Sequence, residues 1–199
     1  MMNVVFDIGN VLVQWEPRAL YRKIFASEAE VEWFIANVCN HDWNIEQDRG
    51  RSFAEAVIEA TARFPEHAEA IAAYDLRWHE TILGPIDGTV AILEDLAARH
   101  TPLYAITNWN QDKFRETQGR FGFLRRFRDI VVSGDERLIK PDPEIYRLLL
   151  ARNGLAAEDC VFIDDSAKNV TGAEAVGMKA IHFTSPDALR AELTAMGLL

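Results

Sequence analysis

The 199-residue sequence predicts an α/β fold, with a parallel β-sheet that has helices on both faces and a helical insert near its N-terminus. Three observations support this. From residue 88 onward, short apolar runs alternate with amphipathic helical segments, which is typical of βαβ units. Several of the apolar runs end in polar or acidic residues, as strands do at the carboxyl edge of a parallel sheet. Residues 17–84, in contrast, have helical periodicity throughout.

The first predicted strand begins at Val4 and leads into Asp7. Its Val and Phe residues fit a strand that is buried on both faces. Gly9 and Asn10 follow, and both residue types tolerate the backbone angles of a tight turn. Asp7 therefore lies at the reactive edge of the sheet, where a nucleophile or a metal ligand is expected. The alternative is an ordinary aspartate in a surface turn.

Residues 16–84 are predicted to form the helical insert. Apolar residues recur at helical spacing over residues 31–38, and a polar link over residues 41–50 follows. Ser52 and Glu55 have the spacing of a capping box at the start of the next helix. A third stripe covers residues 71–82. Gly84 and Pro85 then end the insert, which leaves residues 1–15 and 85–199 as the core domain.

Helices and strands alternate through the rest of the chain. We predict helices over residues 89–99, 112–120 and 142–153 and one that ends at Gly177, and strands over residues 102–107, 130–133, 161–165 and 178–183. Right-handed crossovers would bring all the strand ends to one edge of a Rossmann-like sheet.

Charge and composition restrict the partners. The net charge of −10 argues against a nucleic-acid surface but is compatible with a small anionic substrate. The N-terminal apolar run has no basic residues before it and is interrupted by Asp7, so we expect neither a signal peptide nor a membrane span. The two cysteines, Cys39 and Cys160, follow no metal-binding spacing. These features predict a cytoplasmic protein. They do not distinguish a monomer from a homodimer, and either state is expected.

The predicted strand ends carry polar groups of complementary chemistry: Asp7, Thr107 with Asn108, Lys140, and Asp164 with Asp165. Carboxylates suit Mg²⁺, which prefers oxygen ligands. A lysine, a hydroxyl and backbone N–H groups suit phosphate oxygens. An aspartate near Mg²⁺ and a lysine can attack phosphorus and form an aspartyl-phosphate.

Residues 7–12, 106–108, 140–143 and 162–166 resemble, in order and separation, the four motifs of the haloacid dehalogenase-like hydrolases. The insert over residues 16–84 lies where that family places a helical cap domain. The resemblance therefore extends over nearly the whole chain. It implies a hydrolase that acts on a small phosphorylated metabolite, with Mg²⁺ as cofactor.

The resemblance also implies roles for individual residues. Asp7 would be the nucleophile and a Mg²⁺ ligand, together with Asp165 and with Asp164 as a ligand or a supporting acceptor. Thr107 and the backbone of Asn108 would bind the transferring phosphoryl group, and Trp109 and Asn110 would contact the substrate. Lys140 would neutralise charge on both Asp7 and the phosphate.

The sequence departs from the family pattern at Gly9. Phosphatases of the family usually have an aspartate there, which acts as general acid and base. The backbone carbonyl of Gly9 can still bind the metal, but the proton role is lost, and such a role is worth about 10²–10⁴ in rate. The first motif instead resembles an Asp-x-Gly-Asn branch that includes sugar phosphatases similar to α-glucose-1-phosphatase. His41, Asp48 or Arg49 of the insert could replace the missing acid, or could belong to a solvated loop.

Alternative functions stay open at this point. Haloacid dehalogenases use the same aspartate nucleophile, need no proton for the leaving group and need no metal. A binding or regulatory protein that has lost catalysis is another possibility. Phosphoryl transfer between sugar positions is disfavoured, because it requires the second aspartate. The leading hypothesis is a Mg²⁺-dependent hydrolase of small phosphate monoesters, with sugar phosphates among the candidates.

Overall fold

The computed structural model describes residues 2–199. Five parallel strands form the central sheet in the order β5-β4-β1-β6-β7, and β2 and β3 form a separate antiparallel pair. The strands are β1 Asn3–Phe6, β2 Val13–Trp15, β3 Ile82–Pro85, β4 Leu103–Thr107, β5 Asp129–Val132, β6 Cys160–Asp164 and β7 Lys179–His182. The predicted parallel sheet is confirmed, with β1 at its centre.

Helices cover both faces of the sheet, as predicted. They are α1 Arg18–Tyr21, α2 Glu28–Asn37, α3 His41–Asp48, α4 Phe53–Arg63, α5 Ala68–Leu76, α6 Asp87–Ala98, α7 Gln111–Gln118, α8 Ser133–Glu136, α9 Pro143–Asn153, α10 Ala167–Ala175 and α11 Pro186–Ala195. Val4 and Phe6 of β1 pack in the same apolar cluster as α6 and α11. Val5 points to the opposite face, where its cluster includes residues of α9 and α10.

Helices α1–α5 lie in the insert. Their shared interior is aromatic, and its fully buried members include Tyr21, Phe34 and Tyr74. The capping box of Ser52 and Glu55 at the start of α4 is confirmed. A side-chain cap from Ser27 starts α2 in the same way. The aromatic residues of this interior belong to the same continuous apolar cluster as Val4 and Phe6 of β1, so the insert packs directly on the core.

Two predictions for the insert are wrong. Residues 82–85 are not helical, because they pair as β3 with β2 and form a short ribbon beside the central sheet. The third stripe is therefore divided among α5, a 3₁₀ turn at Trp78–Thr81 and β3, although its apolar members are buried in all three. The polar link is also not a loop, since residues 41–48 form α3. Asn40 caps this helix by accepting a hydrogen bond from the N–H of Trp43 at 2.8 Å.

The core boundaries match the predictions within a few residues. Gly154 ends α9 in the left-handed conformation, with φ 63°. Asp142 occupies the cap position of α9, but its side chain makes no capping bond. We did not predict α11, which Ser185 caps and Pro186 starts. Within residues 2–199, no helix has the length and apolar character needed to cross a bilayer.

Candidate active site

Asp7, Lys140 and Asp164 form a buried ionic cluster at the carboxyl edge of the sheet. Asp7 follows the central strand β1, and Asp164 is the last residue of the neighbouring strand β6. Lys140 Nζ lies 2.8 Å from Asp7 Oδ1 and 2.7 Å from Asp164 Oδ2. All three side chains are nearly excluded from solvent. Three residues from distant parts of the sequence thus converge, as the strand-end argument predicted.

Burial shapes the electrostatics of this cluster. It raises the pKa of Asp7 to about 7, against the lowering effect of Lys140 and with a further raising effect from Asp164. Burial alone would lower the pKa of Lys140, but the two neighbouring carboxylates raise it above its usual value. The lysine therefore stays charged between two acidic groups.

Asp165 completes an acidic group that can hold a divalent cation. One carboxylate oxygen from each of Asp7, Asp164 and Asp165 lies within 4.8 Å of the others. Burial and the charge of Asp164 raise the pKa of Asp165, so the carboxylates repel one another and would gain from a cation. An all-oxygen donor set of this kind fits Mg²⁺.

The two neighbouring aspartates differ in how their oxygens are used. Asp164 Oδ1 accepts the N–H of Ser166 at 2.8 Å, and the amide of Asn169 donates to both Asp164 oxygens at 3.0 and 3.1 Å. Together with the ammonium group of Lys140, these donors surround the carboxylate of Asp164. Asp165 is the most solvent-accessible of the three aspartates and has no such set of donors among the described residues. Asp165 is therefore the freer ligand, and Asn169 holds Asp164 in place.

The loop that carries Lys140 is fixed to the end of β4. Asn108 accepts a hydrogen bond from the backbone N–H of Lys140 at 2.8 Å and donates one to its carbonyl at 3.0 Å. We did not predict this role for the Asn108 side chain. Thr107 precedes it and is buried, and its hydroxyl has no hydrogen-bond partner within residues 2–199. An unpaired buried hydroxyl beside the cluster is suited to a phosphate oxygen.

A cavity of about 60 Å³ opens between the sheet edge and the insert. Its residues come from both parts of the chain: Gly9, Trp15, Asn44, Asp48, Trp78, Asn108 and Trp109. The three tryptophans make most of the wall apolar. Trp109, a predicted substrate contact, is one of these wall residues, whereas Trp43 packs inside the insert against Phe53 and Tyr74. The cavity has room for only a few non-hydrogen atoms.

Asp48, at the C-terminal end of α3, is the only ionisable residue in the described lining of this cavity. Asn44 donates to its carboxylate at 3.3 Å. Burial raises the pKa of Asp48 to about 7, although the charge of Lys140 lowers it. Two other candidates of the polar link, His41 and Arg49, are exposed and do not line the cavity.

Contacts with the core fix the end of α3. The hydroxyl of Ser133 donates to the Asp48 carbonyl at 2.6 Å, and the amide of Asn110 donates to the carbonyls of Gln47 and Arg51, both at 3.2 Å. The oxygen of the Asn110 side chain meanwhile caps α7. The predicted contact between Asn110 and the substrate is therefore not supported, because its side chain joins the insert to the core.

Gly50 allows this close approach. Its φ of 100° is strained for any other residue, and a Cβ there would lie 2.9 Å from the carbonyl oxygen of Gly134. The polar, glycine-containing link was visible in the sequence, but its role in docking needed the tertiary structure.

Fold and site together define a hydrolase-type α/β protein, with an aspartate–lysine cluster at the sheet edge and a helical insert over it. The profile of the haloacid dehalogenase-like hydrolases matches residues 5–183, and the chain belongs to this family. The predicted family membership is thereby confirmed.

Several relatives in sequence and structure are phosphatases or family hydrolases. The sesquiterpene phosphatase astK of Aspergillus oryzae is 25% identical over 195 residues, covering 95% of this chain and 93% of its own. The phosphorylated carbohydrates phosphatase of Thermotoga maritima is 25% identical over 185 residues, covering 92% and 84%. A family enzyme of Bacteroides thetaiotaomicron, solved with magnesium and inorganic phosphate, superposes with a TM-score of 0.69 at 18% identity, covering 93% and 95%. The predicted enzyme class agrees with these phosphatase relatives.

Proposed function

We propose that the protein is a Mg²⁺-dependent phosphatase of small phosphate monoesters, with sugar phosphates among the candidates. The observation that carries this proposal is the cluster in which Lys140 lies 2.8 Å from Asp7 while three carboxylates converge beside it. The arrangement has a nucleophile, a fixed positive charge and an oxygen donor set in one place. The phosphatase relatives support the same chemistry.

In the proposed reaction, a carboxylate oxygen of Asp7 attacks phosphorus, and the bond between phosphorus and the leaving-group oxygen breaks. Thr107 and the backbone N–H of Asn108 bind the phosphoryl oxygens. Lys140 keeps Asp7 ionised and offsets negative charge on the phosphoryl group. Water then attacks the aspartyl-phosphate, which releases inorganic phosphate and restores Asp7.

Asp7, the Gly9 carbonyl and Asp165 would hold the Mg²⁺ ion, with Asp164 as a ligand or as the anchor of Lys140. When bound, the ion offsets the charge of the carboxylates and of the phosphate. The separation of the donor oxygens, within 4.8 Å of one another for the three aspartates, supports this assignment.

The insert over residues 16–84 acts as the cap domain in this proposal. It contributes Asp48 and Trp78 to a cavity whose other residues include Gly9 and Asn108. The leaving group would occupy this cavity, next to the proposed phosphoryl site. A volume of about 60 Å³ favours small leaving groups, or a cap that opens to admit larger ones.

A panel of phosphate esters assayed for phosphate release with Mg²⁺ tests the proposal. We expect turnover of at least one small ester, its loss on chelation and its restoration by added Mg²⁺. Asp7→Asn should remove the activity, while Asp187→Asn, an exposed aspartate on α11, should keep it. Activity that survives either chelation or Asp7→Asn would contradict the mechanism.

A dehalogenase is the second candidate, and the glycine at position 9 is the observation that favours it. Chloride release from a 2-chloro acid without added metal would establish this activity. The convergence of Asp164 and Asp165 on Asp7 favours the phosphatase, because a reaction without metal has no use for three adjacent carboxylates. A binding or regulatory protein would be indicated by inactivity on both panels together with stabilisation by a phosphate ester.

A further inference from the structure

The proposed phosphatase lacks a proton donor beside its nucleophile. An alcohol leaves phosphorus as a strongly basic alkoxide unless an acid protonates it, and general acid help is worth about 10²–10⁴ in rate. Position 9 is a glycine and cannot supply the proton. Lys140 is held between Asp7 and Asp164, with 1% of its side chain exposed, so it does not reach the leaving-group cavity.

We infer that Asp48 of the insert is the general acid and base of the reaction, in place of the missing side chain at Gly9. Both residues line the same cavity, one from α3 and the other from the turn after β1. A carboxyl group at Asp48 therefore faces the space that the leaving group would fill. This inference rests on the proposed phosphatase function.

The position of Asp48 is set by the core as well as by the insert. Ser133 of the core donates to the backbone carbonyl of Asp48 at 2.6 Å. Asn44 of the same helix donates to Oδ2 at 3.3 Å. The bond from Ser133 fixes the end of α3 against the core, and the bond from Asn44 orients the carboxyl group. They hold the carboxyl group at the cavity when the insert is docked.

The environment of Asp48 also suits proton transfer. Burial raises its pKa to about 7, so both the acid and the carboxylate are accessible near neutral pH. The other acidic residue at this end of α3, Glu46, is exposed and is outside the cavity lining.

The reaction consists of two displacement steps at phosphorus, and Asp48 transfers a proton in each. Asp7 forms its bond to phosphorus while the bond from phosphorus to the ester oxygen breaks, and the Asp48 carboxyl gives its proton to that oxygen. The alcohol departs and leaves Asp48 as a carboxylate. Asp48 then takes a proton from the water that attacks phosphorus. The bond between phosphorus and Asp7 breaks, and the net reaction is hydrolysis of one ester bond by one water molecule.

Leaving-group dependence tests the role. Ethyl phosphate and acetyl phosphate are similar in size, but ethanol needs a proton to leave, whereas acetate does not. We expect Asp48→Asn to lower kcat/KM for ethyl phosphate by about 10²–10⁴ and for acetyl phosphate by less than about tenfold. The parameter kcat/KM is chosen because it reports the steps up to loss of the leaving group. Asp42→Asn, on an exposed aspartate of the same helix, is the matched control and should change neither value.

Rescue by Gly9→Asp provides a second test. A Cβ at position 9 would meet no atom within 4 Å, and Gly9 lines the cavity, so the position has space for a side chain. The double variant Gly9→Asp with Asp48→Asn should have a kcat/KM for ethyl phosphate at least about tenfold higher than Asp48→Asn alone, because it returns an acid to the cavity. A structural defect at Asp48 would not be repaired from position 9.

The outcomes separate this inference from the proposed function. Equal losses of kcat/KM on both esters, together with no rescue, would overturn the role of Asp48 while the phosphatase stands. If ethyl phosphate proves a poor substrate of the parent protein, glycerol 2-phosphate replaces it in the same comparison. A parent protein that hydrolyses no phosphate compound at all would instead contradict the proposed function itself.

Discussion

The side chain of Asn108 makes a reciprocal pair of hydrogen bonds with the backbone of Lys140, accepting at 2.8 Å and donating at 3.0 Å. The pair joins the end of β4 to the loop between α8 and α9, across 32 positions of sequence. The position of the Lys140 ammonium group therefore depends on a residue that never contacts it directly. This relationship explains how a loop lysine can be held within 3 Å of two carboxylates.

Asn108→Ala removes both bonds and should lower stability and activity together. Each hydrogen bond is worth about 0.5–1.5 kcal/mol, so we expect a loss of about 1–3 kcal/mol in the free energy of unfolding. Displacement of Lys140 should lower kcat by about 10–100-fold. Urea unfolding and phosphate release measure the two effects. Asn37→Ala, on the exposed side of α2, is the control, and an unchanged kcat in Asn108→Ala would refute the link.

Lys140→Met should lower stability and activity more than Asn108→Ala, which only removes the hydrogen bonds that hold the Lys140 backbone. It leaves Asp7 and Asp164 buried without their shared cation, and breaking a buried pair in this way costs about 3–5 kcal/mol. Turnover should also fall below detection, since Lys140 offsets charge on both the nucleophile and the phosphate. Circular dichroism against urea measures the stability. Lys168→Met, on an exposed lysine of α10, should match the parent in both respects.

Two members of the ionic cluster, Asp7 and Asp164, could be predicted from the sequence because each lies at the end of a strand, whereas Lys140 lies in the loop between α8 and α9. The register of a parallel sheet brings such residues to one edge. The positions of Asp7, Thr107 and Asp164 could therefore be predicted without knowledge of side-chain packing. The turn residues after β1 were also recognisable, and Asn10 adopts the left-handed conformation at φ 54°. The carboxylate separations and the lysine contacts agree with that reasoning.

The features that sequence reasoning missed depend on tertiary contacts. Helix α3 has a weak apolar pattern and begins at a capping asparagine, so it resembled a polar loop. The role of Asn110 depends on carbonyl groups more than 50 positions away, which no local pattern encodes. Asp48 was one of three candidates in the link, and only the cavity distinguishes it from His41 and Arg49.

Asn110→Ala separates a docking role from contact with the substrate. The change removes bonds to the carbonyls of Gln47 and Arg51 and the cap of α7, so we expect a loss of about 1–3 kcal/mol in stability. Hydrogen exchange should accelerate in α3, because its end is no longer tied to the core. Activity should fall by a similar factor on all esters. A loss confined to one leaving group, with unchanged exchange in α3, would restore the substrate role.

Mg²⁺ should stabilise the folded protein through the three converging carboxylates. Binding to the folded state alone raises stability by about 2.7 kcal/mol when the free ion is at 100 times its dissociation constant. Scanning calorimetry with and without EDTA measures the shift in Tm. Asp165→Asn should shrink the shift, because it removes the ligand that the protein's own donors leave free. Asp187→Asn should leave it intact, and equal shifts in both variants would exclude Asp165 as a ligand.

Asp48→Asn should raise stability at neutral pH and above even as it lowers kcat/KM for alkyl phosphate esters. The folded state raises the pKa of Asp48 from 3.8 to about 7, so ionisation is harder in the folded than in the unfolded chain. The stability that Asp48 contributes is therefore full below pH about 4 and is lost as the pH rises through 7. A neutral asparagine avoids this loss, so the stability of the variant relative to the parent should increase between pH 5 and pH 8.

The size of this gain follows from the same shift. One pKa unit corresponds to about 1.36 kcal/mol, and access of solvent to the partly exposed carboxylate reduces the total, so we expect about 1–2 kcal/mol at pH 8. Urea unfolding in EDTA at pH 5, 6.5 and 8 provides the measurement, with Asp42→Asn as the control. If Asp48 is a catalytic carboxylate that the protein keeps at a cost to its stability, the difference in unfolding free energy between Asp48→Asn and the parent should grow with pH. If the variant were less stable than the parent at pH 8, the hydrogen bond between Asp48 and Asn44 would be the main contribution of this side chain, and its place in the cavity would be structural.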